Sequence, residues 1–326
     1  MIPAHSPRRC PPRGALLALL LIASVGPASA AVFRTGQPVM GTVLQVTVVA
    51  ADEPTARALA DAALAEARRW DDILTTWRPD GELARLNAHA GAGPQPLGPE
   101  LRAALGAMQR LSAVTQGSFD PAVGALVDLW RGPTPPADAL IAHAARHRIA
   151  DALVIADQQA TLAAGAKLDA GGIGKGMALD AAATLLRARG AHAAYLDFGG
   201  SSQLAIGAPP GSPAGWRVAI SGLAPARMHG VLALRDAALS TSRAAGGASP
   251  AGPIVDPRSS RPVAGPCATT VRAADATTAE AWSKAVLILG HEGVQRASAA
   301  GLDVLREDLH GVDRSPGFTL APLDAP

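Results

Sequence analysis

Hydrophobic and polar positions along this chain repeat at two periods. Over residues 43–49 they alternate within a run rich in β-branched side chains, which predicts a strand entered through Met40-Gly41-Thr42. From Asp52 the spacing lengthens, and Leu59, Ala63, Ala67, Trp70 and Leu74 fall on one face of a helix that Pro79 and Gly81 stop. A second helix is predicted from Pro99 to about Thr115, with Leu101, Leu105, Met108 and Leu111 on its apolar face and Gly117 closing it. The Pro- and Gly-rich residues 131–139 read as a connection, followed by a helix reaching about Ala150. Residues 153–155 and 160–162 then suit a small hairpin.

The second half mixes the two periods. Residues 177–189 predict an amphipathic helix ended by Gly190, and residues 193–198 a buried strand ended by Gly199-Gly200. Further strands are expected at 203–206, 216–220, 231–234 and 238–241. A last helix is expected over 278–289, with Trp282, Ala285, Val286 and Leu289 on its buried side and Gly290 after it. Helices and strands do not alternate regularly, so the expected class is α+β, with mixed or antiparallel sheets and packed helices. No short-period repeat and no long linker divides the chain, which predicts one catalytic unit over residues 31–326.

Composition changes this picture mainly at the N-terminus. Arg8, Arg9 and Arg13 precede an apolar run over residues 14–25, and Ala28-Ser29-Ala30 follows it, the pattern of a secretory signal peptide over residues 1–30. The run is shorter than the ~20 residues a spanning helix needs. Cleavage before Ala31 is expected, with ordinary secretory export to the periplasm rather than the twin-arginine route. Its removal takes three arginines and no acid, moving the formal net charge from +2 to −1. No basic surface for nucleic acid is then expected. It also removes Cys10 and leaves Cys267 without an internal disulfide partner. Lysine is scarce: Lys167, Lys175 and Lys284 stand against a chain that otherwise uses arginine.

The most informative stretch is Leu168-Asp169-Ala170-Gly171-Gly172-Ile173-Gly174-Lys175-Gly176, directly before a predicted helix. Consecutive glycines let backbone N–H groups approach an anion where the helix dipole favours negative charge. The same turn serves equally as a packing feature. It fits neither a Walker A loop nor a dinucleotide fingerprint, because Asp169, Gly176 and Met177 occupy the wrong positions. His143 and His147 lie four residues apart, but no third zinc ligand accompanies them, and a solvated helix face is expected there.

Other segments accompany the glycine turn. In order they are Met40-Gly41-Thr42, the run from Trp77 to Asn87, Gly117-Ser118-Phe119-Asp120-Pro121 with Leu129-Trp130, and the glycine turn running on to Asp180. Tyr195-Leu196-Asp197-Phe198-Gly199-Gly200, Ser240-Thr241-Ser242, Ile254-Val255-Asp256-Pro257 and Glu280-Ala281-Trp282-Ser283-Lys284 complete the set. Together they resemble the ApbE family over nearly all of residues 38–292.

The resemblance implies an ApbE-like (T-fold-like) architecture and an FAD:protein FMN transferase. Such an enzyme passes FMN from FAD to a Thr or Ser hydroxyl of an exported or membrane redox protein and releases AMP. It further implies that Met40 and Trp77 flank the flavin or adenine rings, the alternative being that both are core. Ser118, Phe119, Asp120, Gly171, Gly172, Met177 and Ile254 match ligand-contacting segments, with a helix cap as the alternative role for Asp120. The family's Mg²⁺ position falls on the Gly174 carbonyl, Glu280 and Lys284, where the family has an Asp and a Thr in place of the last two. A protonated Lys cannot ligate Mg²⁺, so either the Lys284 ammonium stands in for the ion, held by Glu280, or the two form a surface i,i+4 ion pair. Pro253 occupies a position where the family usually has His. That departure sets two further readings beside transfer: a flavin carrier or regulator, and an FAD pyrophosphatase. The resemblance adds a periplasmic location facing, or associated with, the inner membrane.

Overall fold

Val39 and Thr42 face each other across a turn in which Met40 (φ 51°) and Gly41 (φ 73°) both lie in the left-handed region. That geometry lets a hairpin follow the right-handed twist of its strands. It pairs β1 (Ala31–Val39) with β2 (Thr42–Ala50) antiparallel. The computed structural model describes residues 30–224, 227–245 and 254–323, so the expected signal peptide and Pro253 lie outside the described residues.

Helix α1 (Glu53–Leu74) starts where the Asp52 carboxylate accepts the Thr55 amide at 2.7 Å, with Pro54 in the first turn. It buries Leu59, Ala63, Ala67 and Leu74, as its spacing predicts. Next come α2 (Glu82–Ala88), β3 (Gln95–Pro96), α3 (Pro99–Val114), α4 (Gly124–Trp130), α5 (Asp138–Ala144) and α6 (Ile149–Ala152). The hairpin β4 (Leu153–Ala156) and β5 (Gln159–Leu162) then joins β3 in a small sheet. The next elements are α7 (Gly174–Ala188), β6 (Ala193–Phe198), β7 (Ser202–Ile206), β8 (Trp216–Ser221), β9 (Met228–Leu234) and β10 (Ala237–Ala245). After them come β11 (Val255–Asp256), β12 (Arg261–Pro262), β13 (Pro266–Ala273), α8 (Ala276–Leu289), α9 (His291–Ala299), β14 (Asp303–Asp308) and β15 (Gly311–Arg314).

The main sheet has eight strands in the order β1-β2-β6-β7-β10-β13-β14-β15, antiparallel at every step. Successive residues point to opposite faces. Leu196, Leu204, Ala238, Val271 and Val304 pack beneath α1, α7, α8 and α9. Tyr195, Ala205, Leu239 and Leu305 face the other way, onto the β8–β9 hairpin, where Tyr195 stacks on Trp216 with centroids 5.5 Å apart. The class is α+β as expected, with the sheets antiparallel rather than mixed.

One expectation changes. The helix predicted to reach Ala150 breaks into α5 and α6, because Arg148 is extended and the Ile149 amide donates to the Asp120 carboxylate at 3.1 Å. Strands expected at 216–220 and 231–234 pair with each other, outside the main sheet. Strands β1, β13, β14 and β15 and helices α2 and α9 were not indicated by the hydrophobic pattern. No helix among the described residues is long and apolar enough to cross a membrane.

Candidate functional site

Helices α7 and α8 cross at Gly176. A Cβ there would lie 2.5 Å from the Ala276 carbonyl oxygen, so only glycine allows the approach. Asp180, one turn further along α7, accepts the Ala276 and Thr277 amides at 2.8 and 2.9 Å and the Thr277 hydroxyl. Asp275 caps the Thr278 amide at 2.7 Å. These bonds fix the start of α8 against α7 and set Glu280 and Lys284 beside the glycine turn.

Glu280 is 0% exposed. Its Oε2 accepts the Gly176 amide at 2.9 Å, its Oε1 accepts the Ser202 hydroxyl, and the Lys175 Nζ stands 3.9 Å away. Burial raises the carboxyl's proton affinity, but Lys284, Lys175, Ser202 and Gly176 outweigh it and hold the group below its usual range. Lys284 forms no ion pair with Glu280 within 4.0 Å. The surface-pair reading of these two residues therefore fails, because Glu280 is inside. The expectation that Glu280 grips the Lys284 ammonium is also corrected: the ammonium closest to it belongs to Lys175. Burial pushes Lys284 down to about 8, against the pull of Glu280.

Two cavities meet at the glycine turn, sharing Asp169, Gly171, Lys175 and Arg131. The larger, about 550 Å³, is lined by Met40, Trp77, Arg78 and Gly174 among others. Trp77 is 76% exposed, with the Arg131 guanidinium 4.5 Å from its ring centroid, so the core reading of Trp77 does not hold. The smaller, about 300 Å³, is lined by Ser118, Phe119, Asp120, Gly172, Ser242, Ile254 and Lys284. Asp120 is buried and caps two segments, accepting the Ala122 amide at 2.9 Å and that of Ile149. Met177, matched by the resemblance to a ligand-contacting segment, is buried in the core and lines neither cavity.

The turn itself offers fewer free amides than its glycines suggest. Ile173 and Gly174 donate to the Ala170 carbonyl at 3.0 and 2.7 Å, Gly171 to Asp169, and Gly176 to Glu280. The Gly172 and Lys175 amides have no acceptor among the described residues. Lys175 lines both cavities and was not singled out as a ligand residue from the motif, although the scarcity of lysine marks it.

The residues at the Mg²⁺ position do not fit that ion. Magnesium demands octahedral oxygen ligation at ~2.0–2.1 Å. Here both Glu280 oxygens already accept hydrogen bonds, Gly174 is the first residue of α7, and Lys284 offers only donors. No group of three or more His, Cys, Asp or Glu able to hold a metal occurs among the described residues, His143 and His147 included.

The protein is of the α+β class, an antiparallel sheet with helices on one face and, at a helix start, a two-chambered cleft lined by cations and an exposed aromatic. The chain belongs to the ApbE family, whose profile matches residues 34–305. It is similar to an FAD:protein FMN transferase of Klebsiella pneumoniae, 30% identical over 290 residues, covering 83% of this chain and 82% of that one. Another, of Rhodobacter capsulatus, is 32% identical over 276 residues, 80% of this chain, and the chain spans about half of that relative's length (52%). The solved ApbE protein of Thermotoga maritima superposes with a TM-score of 0.80 at 23% identity, covering 88% of this chain and 98% of that one. The flavinyl transferase ApbE of Pseudomonas stutzeri superposes with a TM-score of 0.77 at 25% identity, covering 88% and 94%.

Proposed function

We propose that this chain is an exported FAD:protein FMN transferase acting on a Thr or Ser hydroxyl of a periplasm-facing redox protein. The observation that carries the reading is the junction of the two cavities, where Lys175 and Arg131 line both chambers and Lys284 and Gly172 line the smaller. A dinucleotide has its diphosphate between two ring systems, and the cleft has its cations between two chambers. Met40 and Trp77 supply a thioether and an aromatic face for one ring. Phe119 and Ile254 offer apolar walls in the other chamber.

In this reaction the acceptor hydroxyl oxygen bonds to the FMN phosphorus. The bond from that phosphorus to the bridging oxygen breaks, and AMP leaves with its electron pair. The hydroxyl proton goes to the departing phosphate or to solvent. What the protein contributes is positioning and charge: the ammoniums and amides face the oxygens on which negative charge gathers.

Pro253 favours a second reading, because proline supplies no proton acceptor where the family usually has His. Loss of that group would leave FAD binding intact and yield a carrier or a pyrophosphatase. Incubating purified protein with FAD and a Thr-containing acceptor domain separates the three. Covalent flavin fluorescence on the acceptor supports transfer, free FMN with AMP supports hydrolysis, and unchanged bound FAD supports a carrier. For export, mass spectrometry of secreted protein should find Ala31 at the N-terminus, and retention of residues 1–30 would overturn it.

A further inference from the structure

Lys175 and Lys284 reach the cleft from different helices, the first from the opening turn of α7 and the second from the middle of α8. They share one buried counter-charge, Glu280, whose oxygens are held by the Gly176 amide and the Ser202 hydroxyl. The Lys175 Nζ, 3.9 Å from Glu280, lies beyond hydrogen-bond reach, and Lys284 forms no ion pair. Each ammonium carries three donors, and neither has a hydrogen-bond acceptor among the described residues. Both are partly buried and both line the smaller cavity.

Unsatisfied donors on two half-buried cations are costly unless an anion supplies acceptors. The other charged groups lining that cavity do not meet the need. Asp120 is tied to the Ala122 and Ile149 amides, the Asp169 Oδ1 to the Gly171 amide, and Arg131 and Arg243 add further positive charge. A divalent cation placed here would face two ammoniums and find its carboxylate already engaged, so repulsion opposes it. The chain has only three lysines and otherwise writes arginine for positive charge, yet both positions are lysine. An ammonium is a compact point charge that a cation-sized gap admits, whereas a guanidinium is broad and planar.

We infer that Lys175 and Lys284 form a paired-ammonium clamp that takes the dinucleotide's diphosphate directly, in place of a divalent cation, so that ligand binding by this protein is independent of magnesium. The inference rests on the flavin reading above. Glu280, the buried counter-charge between them, sets the spacing of the clamp. It is a positioning residue.

The test is a fluorescence titration of the purified protein with FAD, once in EDTA and once in excess magnesium chloride, with riboflavin as the phosphate-free probe. The expected result is the same FAD affinity in both buffers. Lys284→Met should weaken FAD binding by about tenfold or more, the usual worth of a hydrogen bond to a charged group, and leave riboflavin unaffected. Glu280→Asp combined with Lys284→Thr should make FAD binding magnesium-dependent. FAD binding by the unaltered protein only in magnesium would overturn the clamp and leave the flavin reading standing. Absence of FAD binding in both buffers would overturn both.

Discussion

Two buried glutamates divide this molecule into a region built to receive something and a region built to hold itself together. Glu280 and Glu307 are 0% and 3% exposed, and each faces cations. Glu307 accepts the Leu223 amide at 2.8 Å, His229 Nε2 at 2.9 Å and the Arg227 guanidinium at 3.0 Å, so its partners sit at bonding distance. All three belong to the β8–β9 hairpin or its connection, which Glu307 fastens to β14. Glu280 instead bonds a backbone amide and a hydroxyl and leaves its two lysines short of contact, with a cavity beside them. A buried carboxylate is therefore not a site in itself. What marks the site is that the neighbouring cations keep unused donors and face open space.

The contrast is easiest to break by truncation. Glu280→Ala should cost about 3–5 kcal/mol, because it strands two cations in a partly buried place. Glu307→Ala should cost less, about 1–3 kcal/mol, since Arg227 is 60% exposed and can return to water. Denaturant midpoints measure both, and only the first variant should change FAD affinity. An equal change in Glu307→Ala would mean that the two regions are not separate.

A pH series sharpens the same comparison from the cation's side. Lys284 is depressed from 10.5 to about 8, so it is charged below that pH and neutral above it. FAD affinity should fall as pH rises through about 8, by up to about tenfold. Stability of the free protein should move the other way. Between about 8 and 10.5 the unfolded chain keeps a proton that the folded chain has released, so stability rises with pH across that window. Lys284→Met should flatten both curves, and a wild-type affinity that is flat across pH 8 would remove Lys284 from the ligand's surroundings.

The smallest effect is expected at Met40, which holds a left-handed φ of 51° while lining the larger cavity. A side chain kept in that conformation costs about 1–2 kcal/mol, and such outliers cluster where ligands are clamped. Met40→Gly should leave the unfolding midpoint within about 1 kcal/mol of wild type, relief of strain offsetting lost packing and chain entropy. FAD affinity should fall a few-fold in the same titration. Unchanged affinity would make Met40 a turn residue alone.

Much of this molecule was legible from local pattern, and the failures have local reasons. Helix α7 announces itself by its apolar spacing and by Gly190, which lies at φ +80°. Strands β14 and β15 carry Asp303, Arg306, Glu307, Asp308, Asp313 and Arg314, which hides their alternation among charges. The glycine turn was visible as a motif, but the motif could not say that Met177 turns into the core while Lys175 turns into the cleft. Nor could it bring Lys175 to Glu280, which meet only because α7 and α8 cross at Gly176. Asp120 carried both a ligand role and a cap role in the sequence. Its bond to the Ala122 amide establishes the cap at Pro121, and its bond to the Ile149 amide explains why the predicted helix breaks before that residue.

Strand β1 was missed for a reason that has its own consequence. It is the outermost strand of the main sheet, and its pattern is interrupted by Gly36 and Pro38. Proline has no N–H to offer an incoming strand, and glycine weakens a ladder. At the opposite end β15 runs only from Gly311 to Arg314 and includes Asp313. Short, charged or proline-bearing margins discourage one folded molecule from extending its sheet into the next. The residues that obscured the strand to pattern reading thus guard a sheet open at both ends against polymerising.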